Sequence, residues 1–375
     1  MTLRVLIVGG YGIFGGRIVE LLKDDPRLAL IVAGRSPERA KAFCARQHAS
    51  ATLVPAVFDR NGDLGPNLAT LRPDLLVDAS GPFQAYGQDR YRVIEACIAA
   101  RVPYLDLADG ADFVDGVQSL DTAARTAGVF VLSGVSSFPV LTAAATRRLA
   151  AGLARVDAIR AGIAPSPYAI VGENVIRAIT GYAGQPTRLR RNGQTVTAYP
   201  FTEQMRFTVA PPGRVPLRST LFSLVEVPDL RVLAALWPKA RTVWMGAGPV
   251  PELLHRVLIA LAWMVRWRIL PSLLPLTPLI HWASNHVDWG AHRGGMFVEV
   301  DGVDGVERMV TCSWHLLAEG DDGPLIPSMA VEGIVRRLLD GQRPDPGARA
   351  AVRELELEDY DRLFARRMIH TGFRN

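Results

Sequence analysis

Leu3-Arg4-Val5-Leu6-Ile7-Val8-Gly9-Gly10-Tyr11-Gly12-Ile13-Phe14-Gly15-Gly16 is the stretch that decides how the first third of this chain folds. A run of Leu, Val and Ile around one arginine is the pattern of a strand buried on both faces of a parallel sheet. It feeds directly into Gly10, Gly12 and Gly15 at G-x-G-x-x-G spacing, and Arg17 to Leu22 continue with helical periodicity. Glycine is required at the three positions for separate reasons. The first makes a tight turn, the second lets backbone approach a pyrophosphate, and the third lets helix and strand pack closely. The free N–H groups and positive dipole end of the following helix then face the phosphates. Strand, glycine turn and helix in this order predict a dinucleotide cradle at Gly9, Gly10, Tyr11, Gly12, Ile13, Phe14 and Gly15.

Working outward, Leu28 to Ala33 reads as the second strand and ends in Gly34-Arg35-Ser36. NAD-preferring sites carry Asp or Glu here for the ribose hydroxyls, and that carboxylate repels a 2′-phosphate. Arg35 can instead pair with the phosphate and lie against adenine, with Ser36 donating a further hydrogen bond, so NADP is expected over NAD. Arg35 otherwise opens a solvated helix with Arg39. Ala40 to Gln47 reads as helix and Thr52 to Phe58 as strand. Asp59 follows at a strand end, where it lines the adenine edge or caps the next turn. Leu75 to Ala79 is a fourth strand, closed by Ser80, Gly81 and Pro82, which leave room for a cofactor. A helix at Tyr91 to Ala100 and strands at Pro103 to Ala108 and Val129 to Leu132 complete the series. Six alternations of strand and helix make an α/β, doubly wound parallel sheet of the Rossmann kind.

With 375 residues the chain exceeds the roughly 250 to 300 at which a single core stops growing, so a second domain is expected. The sequence divides into a nucleotide-binding domain over 1–135, a mixed α+β substrate or dimerisation domain over 136–325, and a C-terminal helical segment over 326–375 that packs back on the others. Cys44, Cys97 and Cys312 lie far apart without metal-ligand spacing, and neither His281 nor His286 has ligand company, so no metal or disulfide framework is expected. The N-terminal apolar run is too short for a signal peptide, which predicts a cytoplasmic protein. Residues 151–293 carry 16 basic and 7 acidic side chains, against 14 and 15 in residues 1–135. That excess suits an anionic surface or ligand, whereas nucleic acid would call for basic clusters interleaved with aromatics.

Several features together resemble the saccharopine dehydrogenase-like oxidoreductases. The resemblance rests on Gly9 to Gly16 with Gly34-Arg35-Ser36, on Asp78-Ala79-Ser80-Gly81-Pro82-Phe83 followed by Tyr86-Gly87, and on Ala96-Cys97 before Tyr104 to Gly110. Ser133 to Pro139, Arg293 to Met296, Glu319 to Pro324 and Leu355 to Phe364 extend it along the chain. It implies a Rossmann domain joined to a mixed second domain, with the chain returning to the first at its end, and NADP as cofactor. It does not imply saccharopine as substrate.

Hydride transfer leaves the protein to orient the substrate and move at most one proton. Asp109 and Asp106, after the fifth strand, and Tyr86, after the fourth, are the candidates for that proton. Asp109 before Gly110 equally suits a turn, Asp106 a loop tether and Tyr86 packing. In the second domain, Leu141 to Leu153 reads as helix, Tyr182 to Asn192 as a loop and Thr195 to Tyr199 as strand. Met296 to Val300 and Met309 to Trp314 read as strands joined by a turn at Gly302 to Gly305. The apolar segment 253–283 is interrupted by Arg256, Arg266, Arg268, Pro271, Pro275 and Pro278, which excludes a crossing helix. Either it is a buried helix pair roofing a greasy pocket, the reading preferred from sequence, or it lies peripherally on the inner membrane face with Trp263, Trp267 and Trp282. Both suit an apolar substrate. The expected activity is oxidation or reduction of a C=O, C=N or activated C=C bond, and the alternative is a non-catalytic nucleotide sensor or scaffold.

Overall fold

The structure is a computed structural model that describes residues 2–249, 251–286 and 290–374. The chain divides into two compact units, Met1–Val140 with Leu325–Leu355, and Leu141–Pro324 with Glu356–Asn375.

In the first unit the apolar run becomes strand β1 (Leu3–Val8), followed by helix α1 (Ile13–Leu22), β2 (Leu28–Gly34), α2 (Pro37–Ala45), β3 (Thr52–Val57) and α3 (Leu64–Leu71). After these come β4 (Leu75–Asp78), α4 (Arg92–Ala99), β5 (Tyr104–Asp106), α5 (Ala111–Gly116), α6 (Asp121–Ala127) and β6 (Phe130–Ser133). The strands are parallel and lie in the order 3-2-1-4-5-6. Val5, Leu6 and Ile7 are fully buried because helices cover both faces, each such side chain contributing roughly 1.5–3 kcal/mol. β1 has β2 on one side and β4 on the other, so the chain reverses its winding there. The crevice beyond the carboxyl end of such a strand is where doubly wound sheets bind ligands.

The second unit opens with α7 (Thr142–Ala150), β7 (Leu153–Ala164), α8 (Glu173–Tyr182), β8 (Thr187–Arg191), β9 (Gln194–Ala198), β10 (Gln204–Val209) and β11 (Leu217–Leu224). It continues through α9 (Asp229–Leu236), β12 (Thr242–Ala247), α10 (Glu252–Arg266), α11 (Thr277–Ser284), β13 (Arg293–Asp304) and β14 (Met309–Glu319). The segment expected to be a loop over Tyr182 to Asn192 contains β8, which pairs with β9 around Asn192 and Gly193, both at positive φ. A two-residue Asn-Gly turn of this kind matches the twist of a hairpin. The turn expected at Gly302 to Gly305 also shifts. β13 runs on to Asp304 across a register irregularity against β7 at Asp301/Gly302.

The expected helical segment 326–375 is corrected as well. α12 (Ile326–Leu339) is followed by a strand, β15 (Gly347–Ala350), which adds to the first sheet parallel to β6. α13 (Leu357–Phe364) leads into β16 (Ile369–Arg374), which pairs antiparallel with β14 and completes the second sheet, in the order 10-11-12-7-13-14-16.

The apolar segment is not the buried helix pair preferred from sequence. In α10 only His255, Ala262 and Val265 are buried, and Leu253, Val257, Trp267, Ile269, Leu274, Leu279 and Trp282 stay exposed. Among the described residues no helix is long and apolar enough to cross a membrane.

Candidate active site and cofactor cradle

The glycine turn is held by its own backbone. The Gly12 N–H donates to the Gly9 carbonyl at 2.8 Å, and the Gly10 N–H donates to Ala33 of β2 at 3.0 Å. Gly9 has φ +75°, a left-handed conformation that side chains resist. A Cβ at Gly15 would lie 2.2 Å from the Gly9 carbonyl oxygen, so only glycine lets α1 start this close to the turn. α1 has no side-chain cap and no acidic residue in its first turn. Its first amides therefore point at a place where no protein carboxylate competes with an anion. The bare turn, the uncapped helix and the exposed Arg35 fit the pyrophosphate and 2′-phosphate of NADP.

At the end of β2, Tyr11 lies across Gly34, and its hydroxyl accepts the Ser36 backbone N–H at 3.0 Å. The Arg39 guanidinium sits 4.9 Å from the centre of the Tyr11 ring. Ser36 has partners of its own here. The Ser36 hydroxyl caps α2, accepting from the Arg39 N–H at 3.2 Å and donating to Glu38 at 3.0 Å, so its proton is committed within the protein. Arg35 and Arg39 are exposed beside it. Asp59 is a turn residue, accepting from the Asn61 N–H at 3.0 Å.

The other half of the edge is built from side chains. A Cβ on Gly9 would lie 3.1 Å from Ser80 Cα, so the glycine turn touches the loop after β4. There the Ser80 N–H and hydroxyl both donate to Asp78 Oδ1, at 2.9 and 2.5 Å, and the Ser80 oxygen lies 2.8 Å from the Tyr86 hydroxyl. Gly81 and Pro82 carry the chain from Ser80 into the turn Phe83–Ala85, which sets Tyr86 against Phe83 and Phe113. Burial pushes the Asp78 carboxyl up, and it pushes the Tyr86 phenol up as well, with the nearby Asp78 charge adding to the effect. Tyr86 is therefore a protonated, half-buried donor at neutral pH.

Arg60 was not singled out from sequence. Its guanidinium carbon lies 3.4 Å from the centre of the Tyr86 ring, and its Nε and Nη2 are buried without a hydrogen-bond partner. A cation with unsatisfied donors beside a phenol is an open place for an anionic or carbonyl oxygen. Its position directly after Asp59, at a strand end, was the available signal.

Asp106 is placed differently from its expected acid–base role. It is fully buried, and its Oδ1 accepts from the Ala108 N–H at 3.0 Å, the Gly134 N–H at 2.8 Å and the Ser133 hydroxyl at 2.9 Å. These bonds strap the ends of β5 and β6 together. Desolvation pushes its carboxyl up to about 7, and Oδ2 has no partner. Asp109 is half-buried, accepts from Gln84 Nε2 at 2.9 Å, and is pushed up by desolvation.

Residues 5–132 match the family model of the saccharopine dehydrogenase NADP binding domain. The fold is similar to that of apo saccharopine dehydrogenase (L-Glu forming) from Saccharomyces cerevisiae, with 13% identity, 99% of each chain covered and a TM-score of 0.69. An engineered D-amino acid dehydrogenase bound to NADP+ has 16% identity, covers 98% of this chain and 99% of its own, and gives a TM-score of 0.46. For a myo-inositol dehydrogenase from Corynebacterium glutamicum the values are 12%, 92%, 91% and 0.44. No curated protein matches the chain by sequence. The glycine cradle and the cations that fit its dinucleotide lie within the matched residues, so residues 5–132 are the NADP-binding domain of an NAD(P)-dependent oxidoreductase, similar to that of saccharopine dehydrogenase.

Proposed function

We propose that the chain moves a hydride between NADP and a C=O, C=N or activated C=C bond of an apolar small molecule, with Tyr86 as the proton donor or acceptor. The observation that carries this reading is the hydrogen-bonded series Asp78, Ser80, Tyr86 beside the glycine turn. Bound NADP supplies or accepts the hydride. In the reducing direction the Tyr86 O–H bond breaks and its proton goes to the oxygen, nitrogen or carbon that gains charge. Ser80 can hand a proton to Tyr86 and take one from Asp78, whose raised affinity for protons suits it to hold that proton in a buried place. Arg60 stabilises the phenolate that forms meanwhile. Asp109 is a positioning residue that fixes Gln84 on the turn leading to Tyr86.

The apolar character of the substrate is supported by the exposed apolar side chains of α10 and α11, Leu253, Val257, Leu279 and Trp282, which suit a lipid-like compound. The test is oxidation of NADPH by purified protein with a panel of apolar carbonyl, imine and enoyl compounds, beside a calorimetric titration with NADPH and NADH. Turnover with an apolar member and none with small amino acids or oxo acids is the expected result. Tight NADPH binding without turnover of any member would leave the sensor or scaffold reading in its place.

A further inference from the structure

We propose that α10, its following turn and α11 form a docking surface for an anionic lipid bilayer. Among the described residues, seven of the fifteen exposed large hydrophobic side chains lie between Leu253 and Trp282, so the exposure is concentrated rather than scattered. Leu253, Val257, Ala260, Met264 and Trp267 follow one another at three- and four-residue steps, which is one stripe of a helix. The opposite face is anchored by buried His255, whose Nε2 lies 2.8 Å from the Ser223 hydroxyl of β11. This contact makes the apolar stripe the one left outside. Leu279 and Trp282 of α11 repeat the arrangement, 61% and 57% exposed.

The charge around the stripe suits phosphate headgroups. Arg256 and Arg266 lie on α10, Arg268 just after it, and Arg206 is joined to it through the carboxylate Glu252, which lies 2.7 Å from Arg206 and 2.7 Å from Arg256. Beside the helix an open groove of about 450 Å³ is lined by Leu221, Ile259, Ala260 and Trp263, with Arg206 and Arg256 among its walls. The groove thus combines apolar walls with guanidinium groups, which suits an acyl chain beside a phosphate. Arg266 is packed over Tyr199 and Trp263, 4.6 Å from each ring, and Trp267 continues the stripe at 65% exposure. Indole rings and arginines at the edge of an apolar face belong at the level of headgroups.

The test is flotation of the full chain with vesicles of phosphatidylcholine, and with vesicles in which a third of the lipid is phosphatidylglycerol. The protein is expected to float with the anionic vesicles and much less with the neutral ones. Val257→Asp with Trp267→Glu lowers that partition by at least about tenfold, and Arg268→Glu lowers it about fivefold. An unchanged circular dichroism spectrum and thermal unfolding curve in each variant show that it has folded. A wild type that stays with neither vesicle overturns the proposal. So does a concentration-dependent dimer in sedimentation velocity that the same substitutions convert to monomer, because the face then belongs to a second copy. Binding of monomeric fatty acid without flotation also overturns it.

Discussion

The carboxyl edge of the first sheet has two halves built on different principles. On the β1 and β2 side it is made of backbone: a glycine turn, an uncapped helix end and two exposed arginines. On the β4 and β5 side it is made of side chains, where Asp78 and Asp106 end neighbouring strands as register partners and each gathers hydroxyl and amide donors. A half made of backbone dipoles can hold fixed charge without a titratable group, which suits binding. A half made of buried hydroxyls and carboxyls can move a proton, which suits chemistry. The two meet where Gly9 touches Ser80.

Removing the phenol puts the largest strain on this division. Tyr86→Phe keeps the ring against Phe83 and Phe113 and deletes the hydroxyl near Ser80. The expected loss is roughly 10²–10⁴-fold in kcat, the usual share of a general acid, with the Kd for NADPH unchanged. If kcat is retained, the proton comes from elsewhere and the β4 side is only structural. The next effect belongs to the other half. If Arg35 holds the 2′-phosphate, Arg35→Asp places a carboxylate there, and the preference for NADPH over NADH should fall at least tenfold, about 1.4 kcal/mol, in a calorimetric titration. An unchanged ratio assigns the phosphate to Arg39 instead.

The same division explains what could be read in advance. The β1 half was legible because each of its requirements is met by residues adjacent in sequence: a strand, a turn and a helix start within sixteen positions. The β4 half was legible only as candidates. Tyr86 and Asp106 were visible as polar residues near strand ends, but which one faces outward depends on Ser133 and Gly134, which lie 27 and 28 residues beyond Asp106. Arg60 reaches Tyr86 across 26 residues of chain, and its place after a strand end was the one local hint of it. Ser36 was read as a ligand and not as the cap of α2, because a cap and a ligand use the same hydroxyl. In the second unit the Asn192-Gly193 turn was an overlooked hairpin signal, hidden by the arginines and proline around it. The exposure of α10 was beyond reach for another reason. Periodicity tells that a helix has an apolar stripe and cannot tell that His255, a polar residue, takes the buried side.

The smallest expected effect tests whether Asp106 belongs to the chemistry at all. Its folded carboxyl is raised to about 7 by desolvation, above the roughly 3.9 of an unfolded chain, so the folded state holds the extra proton between those values. The stability that Asp106 contributes is therefore fully present below about pH 4 and is lost as pH rises toward and through 7, with a slope no steeper than about 1.4 kcal/mol per pH unit. Asp106→Asn keeps an oxygen for the Ala108, Gly134 and Ser133 donors and puts an amide where the acid proton sat. It should flatten the fall of stability between pH 4 and 7, measured by urea unfolding, while leaving turnover within about threefold. Asp106→Ala strands the same three donors and should cost a further 1–3 kcal/mol or so at every pH. If Asp106→Asn instead abolishes turnover in a folded protein, the strap is part of the reaction, and the boundary between the binding half and the chemical half lies one strand further along the sheet.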